Sequence, residues 1–192
     1  MRWRSYVVDE TLIVEGKFNA ISSGLLGGWR EVDFLFNHTV RDFDFENPVD
    51  YLKQVAEKYE MKDFFGLLTS VPMDKLAIER FEDVTVFVTA GVKNPNEKIE
   101  AKIGTINIIV VLDGKISDGG MVNAVITATE AKAKSLIEQG FNFTGTTTDA
   151  VIIATTNVGK YYEYAGPIST LGKKIWISVG KAVKKSLSKW DF

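Results

Sequence analysis

The chain has 192 residues, 45% of them hydrophobic and 25% charged, a composition that fits a soluble globular protein able to bury its own core and excludes extensive disorder. A formal charge of −2 and an isoelectric point near 5.6 argue against a nucleic-acid binder, which concentrates basic residues on one face. There is no cysteine, so disulfides, thiolate nucleophiles and cysteine-held metals are excluded.

The N-terminus, Met1-Arg2-Trp3-Arg4-Ser5, leads into alternating strand-like residues rather than an apolar signal region. Residues 6–8 and 12–14, separated by Asp9-Glu10-Thr11, read as a hairpin. Residues 18–21 and 32–39 read as strands on either side of the loop from Ser22 to Gly28. Asn47-Pro48 then offers a cap and a first-turn proline, and Val49, Leu52, Val55, Ala56 and Tyr59 continue at helical spacing. Phe64–Thr69 is a strand candidate and 73–81 a short helix candidate.

Residues 84–89 and 105–112 are nearly continuous apolar runs, the pattern of strands covered on both faces. Residues 121–139 form the clearest helix, closed by Gly140, with Ala124, Ala128, Ala131 and Ser135 on one face, small enough to let a sheet approach closely. Residues 151–154 read as a further buried strand. Leu171, Ile175, Val179, Val183, Leu187 and Trp190 define a last amphipathic helix, whose Lys181, Lys184, Lys185 and Lys189 read as a solvated face. No run of about 18 apolar residues suggests a membrane span, and no composition break divides the sequence. The expectation is one α/β domain over residues 1–192, with mixed β-sheets layered with helices, in a cytoplasmic protein.

Small polar residues collect at the strand ends: Ser22-Ser23-Gly24, Thr69-Ser70, Thr89-Ala90-Gly91 with Asn94-Pro95, Gly104-Thr105-Ile106-Asn107, and residues 144–149. Each alone is ordinary turn chemistry; their recurrence suggests a site built from hydroxyls and amides. The phosphate-loop and dinucleotide fingerprints are both absent. Gly145-Thr146-Thr147-Thr148 is compatible with an anion cradle, but it runs into a strand instead of opening a helix. His38 is the only histidine, so one chain cannot assemble a multi-histidine metal site, and His38 itself reads as structural. A hard cation held by carboxylates stays open. Two carboxylates stand out. Glu130 precedes Lys134 by four residues, a helix-surface pair, yet it adjoins the small-residue face. Asp149 ends the threonine-rich loop, where it either serves a hydroxyl as an acid–base group or satisfies loop amides. Thr105, following Gly104 at the mouth of a buried strand, is the candidate nucleophile.

In this order and spacing, several stretches resemble the adenosylcobinamide amidohydrolase family. They are Ser22-Ser23-Gly24 to Gly28, Asn37 with Val40, Gly66-Leu67-Leu68-Thr69, and Val88-Thr89-Ala90-Gly91 with Asn94-Pro95. They continue with Gly104-Thr105-Ile106-Asn107-Ile108-Ile109-Val110, Asn123-Ala124-Val125 through Ala128-Thr129-Glu130-Ala131-Lys132, Gly145 through Ala150, and Tyr164-Ala165-Gly166-Pro167. The resemblance covers nearly the whole chain. It implies hydrolysis of adenosylcobinamide to adenosylcobyric acid and aminopropanol in corrinoid salvage, with the cobalt arriving on the substrate and no cofactor of the protein's own. Thr105, Glu130 and Asp149 are then the catalytic candidates. Ser22, Ser23, Asn37, Thr69, Asn94, Asn107, Thr146 and Thr148 are the substrate-binding ones. The partner is a small-molecule corrinoid, with neither nucleic acid nor membrane expected and homo-oligomerisation open. A non-catalytic corrinoid binder is the alternative. Gly104-Thr105 heading an apolar strand also resembles, over a short stretch, the self-processing amide hydrolases with layered α/β/β/α folds. That likeness extends the fold expectation to four layers and implies cleavage before Thr105.

Overall fold

The computed structural model describes residues 2–41, 47–92 and 104–190. Strand β1 (Trp3–Val8) turns into β2 (Thr11–Ser22) through Asp9 and Glu10, both left-handed, with φ of 42° and 61°. Two consecutive positive φ angles are what a two-residue hairpin turn matched to strand twist requires. β2 runs unbroken where the sequence suggests two separate strands. Its pairing with β3 (Gly28–Thr39) shifts register between Glu15 and Phe18, a bulge that bends the strand. Gly16 sits in that bulge, where an added Cβ would lie 2.6 Å from the Trp3 Cβ. The other edge of β2 therefore changes partner, pairing with β1 before the bend and, from Asn19 to Ser22, with β9 (Ala150–Thr155).

Helix α1 (Pro48–Lys58) starts at the expected Asn47-Pro48 and leads to β4 (Phe64–Thr69), parallel to β3. The helix expected over 73–81 does not form. Residues Met73–Lys75 make a single 3₁₀ turn, and Ala77–Phe81 is strand β5, antiparallel to β6 (Val84–Gly91). Short helices are marginal by themselves. A tight turn through Glu82, at φ 54°, instead gives these residues the free edge of β6 and a full ladder of hydrogen bonds. β7 (Thr105–Leu112) follows, then β8 (Lys115–Ile116), α2 (Asp118–Glu138), β10 (Tyr161–Tyr162) after β9, and α3 (Thr170–Leu187). α2 begins ahead of the expected residue 121 because the Ser117 hydroxyl caps it, accepting the Gly120 N–H at 3.0 Å. Among the described residues no helix is long and apolar enough to cross a membrane.

Among the described residues, eight strands form one mixed sheet in the order β4-β3-β2-β9-β7-β6-β5, with β1 on β2 and β10 paired only with β8. The α/β class and mixed pairing are as expected. Hydrogen bonding runs unbroken across the sheet from β4 to β5. Every residue of β6, β7 and β9 is buried. On one face α2 and α3 cover these strands, with Ala124, Ala128 and Ala131 meeting Val86, Ile108 and Val179 in one apolar cluster. On the other face Phe87, Ile109, Val111 and Ile152 pack with Trp3, Leu12, Leu35 and Phe65 of the β1–β4 end. α1 closes a third cluster with Ile13 and Phe36.

The second cluster shows the shape of the sheet. β3 and β7 are separated by β2 and β9, so a flat sheet would hold them about 14 Å apart at the usual strand spacing. Yet Asn107 Nδ2 of β7 donates to Asn37 Oδ1 of β3 at 2.9 Å. The sheet must curl until its β3–β4 end faces β6–β7, and this curl brings distant strand ends together.

Candidate active site

At those strand ends lies a cleft of about 420 Å³, lined by Ser23, Gly24, Leu25, Val40, Pro48, Leu67, Leu68, Thr69, Ser70, Thr105, Thr147, Thr148, Asp149 and Ala150. It draws on the end of β2, the ends of β3 and β4, the start of β7 and the loop into β9. Its volume falls in the usual range for small-molecule sites. Of the residues singled out by the sequence, Ser23, Thr69, Thr105, Thr148 and Asp149 line it together.

Thr105 is buried, with 3% of its surface exposed, and opens β7. Its Oγ1 lies 3.0 Å from the Thr148 Oγ1, and the Thr148 hydroxyl donates to the Gly104 carbonyl oxygen at 3.3 Å. A hydroxyl has one proton to give. Either hydroxyl can be the donor of the pair, and when the Thr148 proton is on Gly104 the donor is Thr105.

Asp149 holds the loop. Among the described residues its Oδ1 accepts the Ile106 N–H at 3.0 Å and the Thr146 hydroxyl at 2.6 Å. Its Oδ2 accepts the Thr146 N–H at 3.1 Å and the Lys132 ammonium at 2.5 Å. Four hydrogen bonds occupy the lone-pair sites a carboxylate offers. Of its two sequence readings, satisfaction of loop amides is therefore the one this geometry displays. Of the residues 145–148 considered as an anion cradle, Thr146 holds the Asp149 carboxylate through its N–H and its hydroxyl.

Glu130 is exposed on α2 and does not line the cleft, and Lys134, its expected partner, pairs with Glu138 at 3.5 Å instead. Glu130 lies two positions after Ala128, about 200° around the helix from the small-residue face. Lys132, four positions after Ala128, lies on that face and is buried. The sequence reading did not single it out as a site residue, although helical counting from Ala128 places it on the buried face, where it pairs with Asp149.

Beneath the cleft, Asn37 and Asn107 form an amide ladder. Asn107 Nδ2 donates to Asn37 Oδ1 and to the Leu68 carbonyl, both at 2.9 Å, and Asn37 Nδ2 donates to Thr89 Oγ1 at 2.8 Å. Both are almost fully buried and brace the curl rather than line the cleft. Ser22 Oγ accepts the Gly24 N–H at 3.1 Å, and Ser23 Oγ accepts the Val151 N–H at 3.0 Å, extending the β2–β9 seam. Asn94 lies outside the described residues. His38 is not among the residues lining the cleft. Its Nδ1 lies 2.7 Å from Thr11 Oγ1 and its Nε2 3.0 Å from the Tyr51 hydroxyl. Burial, helped by the Lys58 charge, lowers its pKa, with Glu10 acting the other way. Among the described residues no cluster of three or more His, Asp or Glu side chains is placed to hold a metal ion.

The comparisons with known proteins agree on a family. The family model described as adenosylcobinamide amidohydrolase matches residues 6–191. An adenosylcobinamide amidohydrolase of Methanosarcina mazei is 40% identical over 193 residues, covering 95% of this chain and 96% of that protein. One of Halobacterium salinarum is 32% identical over 187 residues, covering 89% and 80%. An uncharacterized protein of Methanocaldococcus jannaschii is 29% identical over 242 residues, covering 98% and 94%. With a family match over almost its entire length and relatives of similar extent, the chain belongs to the adenosylcobinamide amidohydrolase family.

Proposed function

We propose that this chain hydrolyses the amide joining the aminopropanol arm of adenosylcobinamide to the corrin, giving adenosylcobyric acid and aminopropanol. The observation that carries this reading is the pairing of the buried Thr105 hydroxyl with that of the exposed Thr148, at a cleft with apolar walls from Leu25, Val40, Leu67 and Leu68. Those walls suit the alkyl part of an arm, and Ser23 and Thr69 offer polar contacts for its amide, while the macrocycle rests at the mouth. The cobalt enters as part of the substrate, and the chain supplies only side chains and backbone.

In this reading Thr105 Oγ attacks the amide carbonyl carbon, aminopropanol leaves with a proton on its nitrogen, and water then hydrolyses the ester. Thr105 needs a base for its proton. Asp149 has its acceptor sites filled and Glu130 is away from the cleft. Cutting the chain between Gly104 and Thr105 supplies one, because a free α-amine titrates near pH 8 and would sit on the nucleophile's own residue. The Thr148 hydroxyl on the Gly104 carbonyl oxygen is placed to stabilise charge there as Thr105 Oγ attacks that carbonyl and water releases the two pieces.

The experiment is incubation of the purified protein with adenosylcobinamide and mass spectrometry of both small molecules and protein. Adenosylcobyric acid is expected without ATP, the protein is expected as fragments 1–104 and 105–192, and Thr105→Ala is expected to lose about a hundredfold or more in turnover. Tight binding by the wild type without turnover would favour the carrier. An uncleaved chain with an active alanine variant would replace Thr105 by an activated water.

A further inference from the structure

We propose that Lys132 and Asp149 form a clamp that positions the Thr105 and Thr148 hydroxyls for the reaction, a role that rests on the hydrolase reading. Lys132 reaches in from α2 with 9% of its side chain exposed, and Asp149 has 12%. Burying two charges costs several kcal/mol per ion, and an apolar pair of similar volume often serves stability as well. The pair is therefore poorly explained by stability alone, and its position supplies a reason. Asp149 Oδ1 holds the N–H of Ile106, the residue after Thr105, while Asp149 is itself the residue after Thr148. One carboxylate thus ties together the backbone beside each hydroxyl, across the 3.0 Å between their oxygens.

Lys132 and the Thr146 N–H hold the second carboxylate oxygen, so the carboxylate cannot rotate away from Ile106. Gly145 makes the room: a Cβ there would run into both Asp149 Oδ2 and Lys132 Nζ. The clamp needs no contact with substrate. Lys132 and Asp149 act as positioning residues, and loss of either lets the two hydroxyls drift apart.

The test uses the full chain and adenosylcobinamide, whose colour reports binding by co-elution in gel filtration. Lys132→Met removes the charge and the donor at similar bulk, and Lys132→Gln keeps a donor. Expected for Lys132→Met is a kcat lowered by about tenfold to a hundredfold, the scale of a small misplacement of reacting groups. The Kd for corrinoid should stay within about threefold, because uniform binding is not what the clamp provides. Lys132→Gln should recover part of the lost turnover. Hydrogen exchange at the Ile106 and Thr146 amides, followed by NMR, should be faster in Lys132→Met, and this readout does not depend on turnover. Unchanged exchange overturns the clamp, and so does an unchanged kcat where the wild type turns over. Faster exchange in a protein whose wild type binds but never cleaves upholds the clamp and overturns the hydrolase reading. If Lys132→Met fails to fold, Lys132→Gln carries the same comparisons, with slower turnover at unchanged Kd expected and wild-type values of kcat and exchange overturning the clamp.

Discussion

Single residues show where one-dimensional reading succeeds and where it stops. Thr105, Thr148, Thr69 and Ser23 were identifiable because small hydroxyl residues at the ends of apolar strands are exposed to whatever cleft those ends form, and all four line it. In the segment holding Glu130 and Lys132 a carboxylate is the more familiar catalytic group, but Glu130 is exposed outside the cleft, and Lys132 is the residue that reaches Asp149. His38 matches its structural reading, with both ring nitrogens within hydrogen-bond distance of a hydroxyl. Its pKa is lowered in the folded protein, first by burial and then by Lys58, so the unfolded chain binds the proton more readily. The sign follows: the neutral imidazole contributes its full stability above about pH 6.5, the unfolded value, and that contribution falls away as pH drops through the lower folded value. Urea unfolding of wild type and His38→Gln at pH 7.5 and pH 5.5 checks this. The wild type is expected to lose more stability on acidification than the variant.

At the scale of elements, periodicity located the long helices and most strands, Phe64–Thr69 to the residue, and missed β5, β8 and β10. α2 and α3 carry stripes long enough for a 3.6-residue repeat to be unmistakable, and β6, β7 and β9 are buried throughout and largely apolar because helices and the curled end of the sheet cover them. The five residues of β5 carry no such signal: only Ala77 is buried, while Ile78 and Phe81 are exposed. The free edge of β6 determines their state, and a free edge is a property of the assembled sheet. Helix α3 depends on a different close approach. Ser169 caps it by accepting the Gly172 N–H at 3.1 Å, and a Cβ at Gly172 would overlap the carbonyl of Gly166. Gly172→Ala would ordinarily favour a helix by about 1 kcal/mol. Here backbone, which cannot rotate aside, must move, and overpacking of this kind costs about 1–3 kcal/mol or more. Thermal unfolding should therefore show a lower Tm for Gly172→Ala, against the propensity scale.

Across the whole molecule, two polar assemblies tie distant parts of the chain. One is the amide ladder of Asn37 and Asn107 beneath the cleft. The other lies where the β5–β6 turn meets α3 and β10: Lys174 Nζ donates to Asp83 at 2.7 Å and to the Tyr162 hydroxyl at 2.9 Å, and pairs with Glu82 at 2.7 Å, while Tyr162 donates to Asp83 at 2.5 Å. Burial opposes the charge on both Lys174 and Asp83, but their hydrogen bonds outweigh it, raising the Lys174 pKa and lowering that of Asp83. The depressed carboxylate contributes stability above about pH 4 that is lost as pH falls through its folded value. The raised ammonium contributes stability below about pH 10.4 that is lost as pH rises through its own. Lys174→Met is expected to cost about 2–3 kcal/mol, the worth of hydrogen bonds to charged groups with Asp83 left without its cation, or roughly 4–12 °C in Tm for a chain of this length. Calorimetry across pH checks it: the gap to wild type should be flat from about pH 5 to pH 9 and narrow in acid. What the sequence by itself determined is whatever depends on near neighbours along the chain: the α/β class, the long helices and buried strands, the Ser-, Thr- and Gly-rich strand ends, and a resemblance that spans them in order. Only the tertiary structure decided which strand ends share a cleft, that Lys132 rather than Glu130 meets Asp149, and that residues 77–81 are extended. The reason is the curl of the sheet, which places β3 against β7 across two intervening strands and so creates contacts between residues 70 apart in the chain, where local periodicity carries no information.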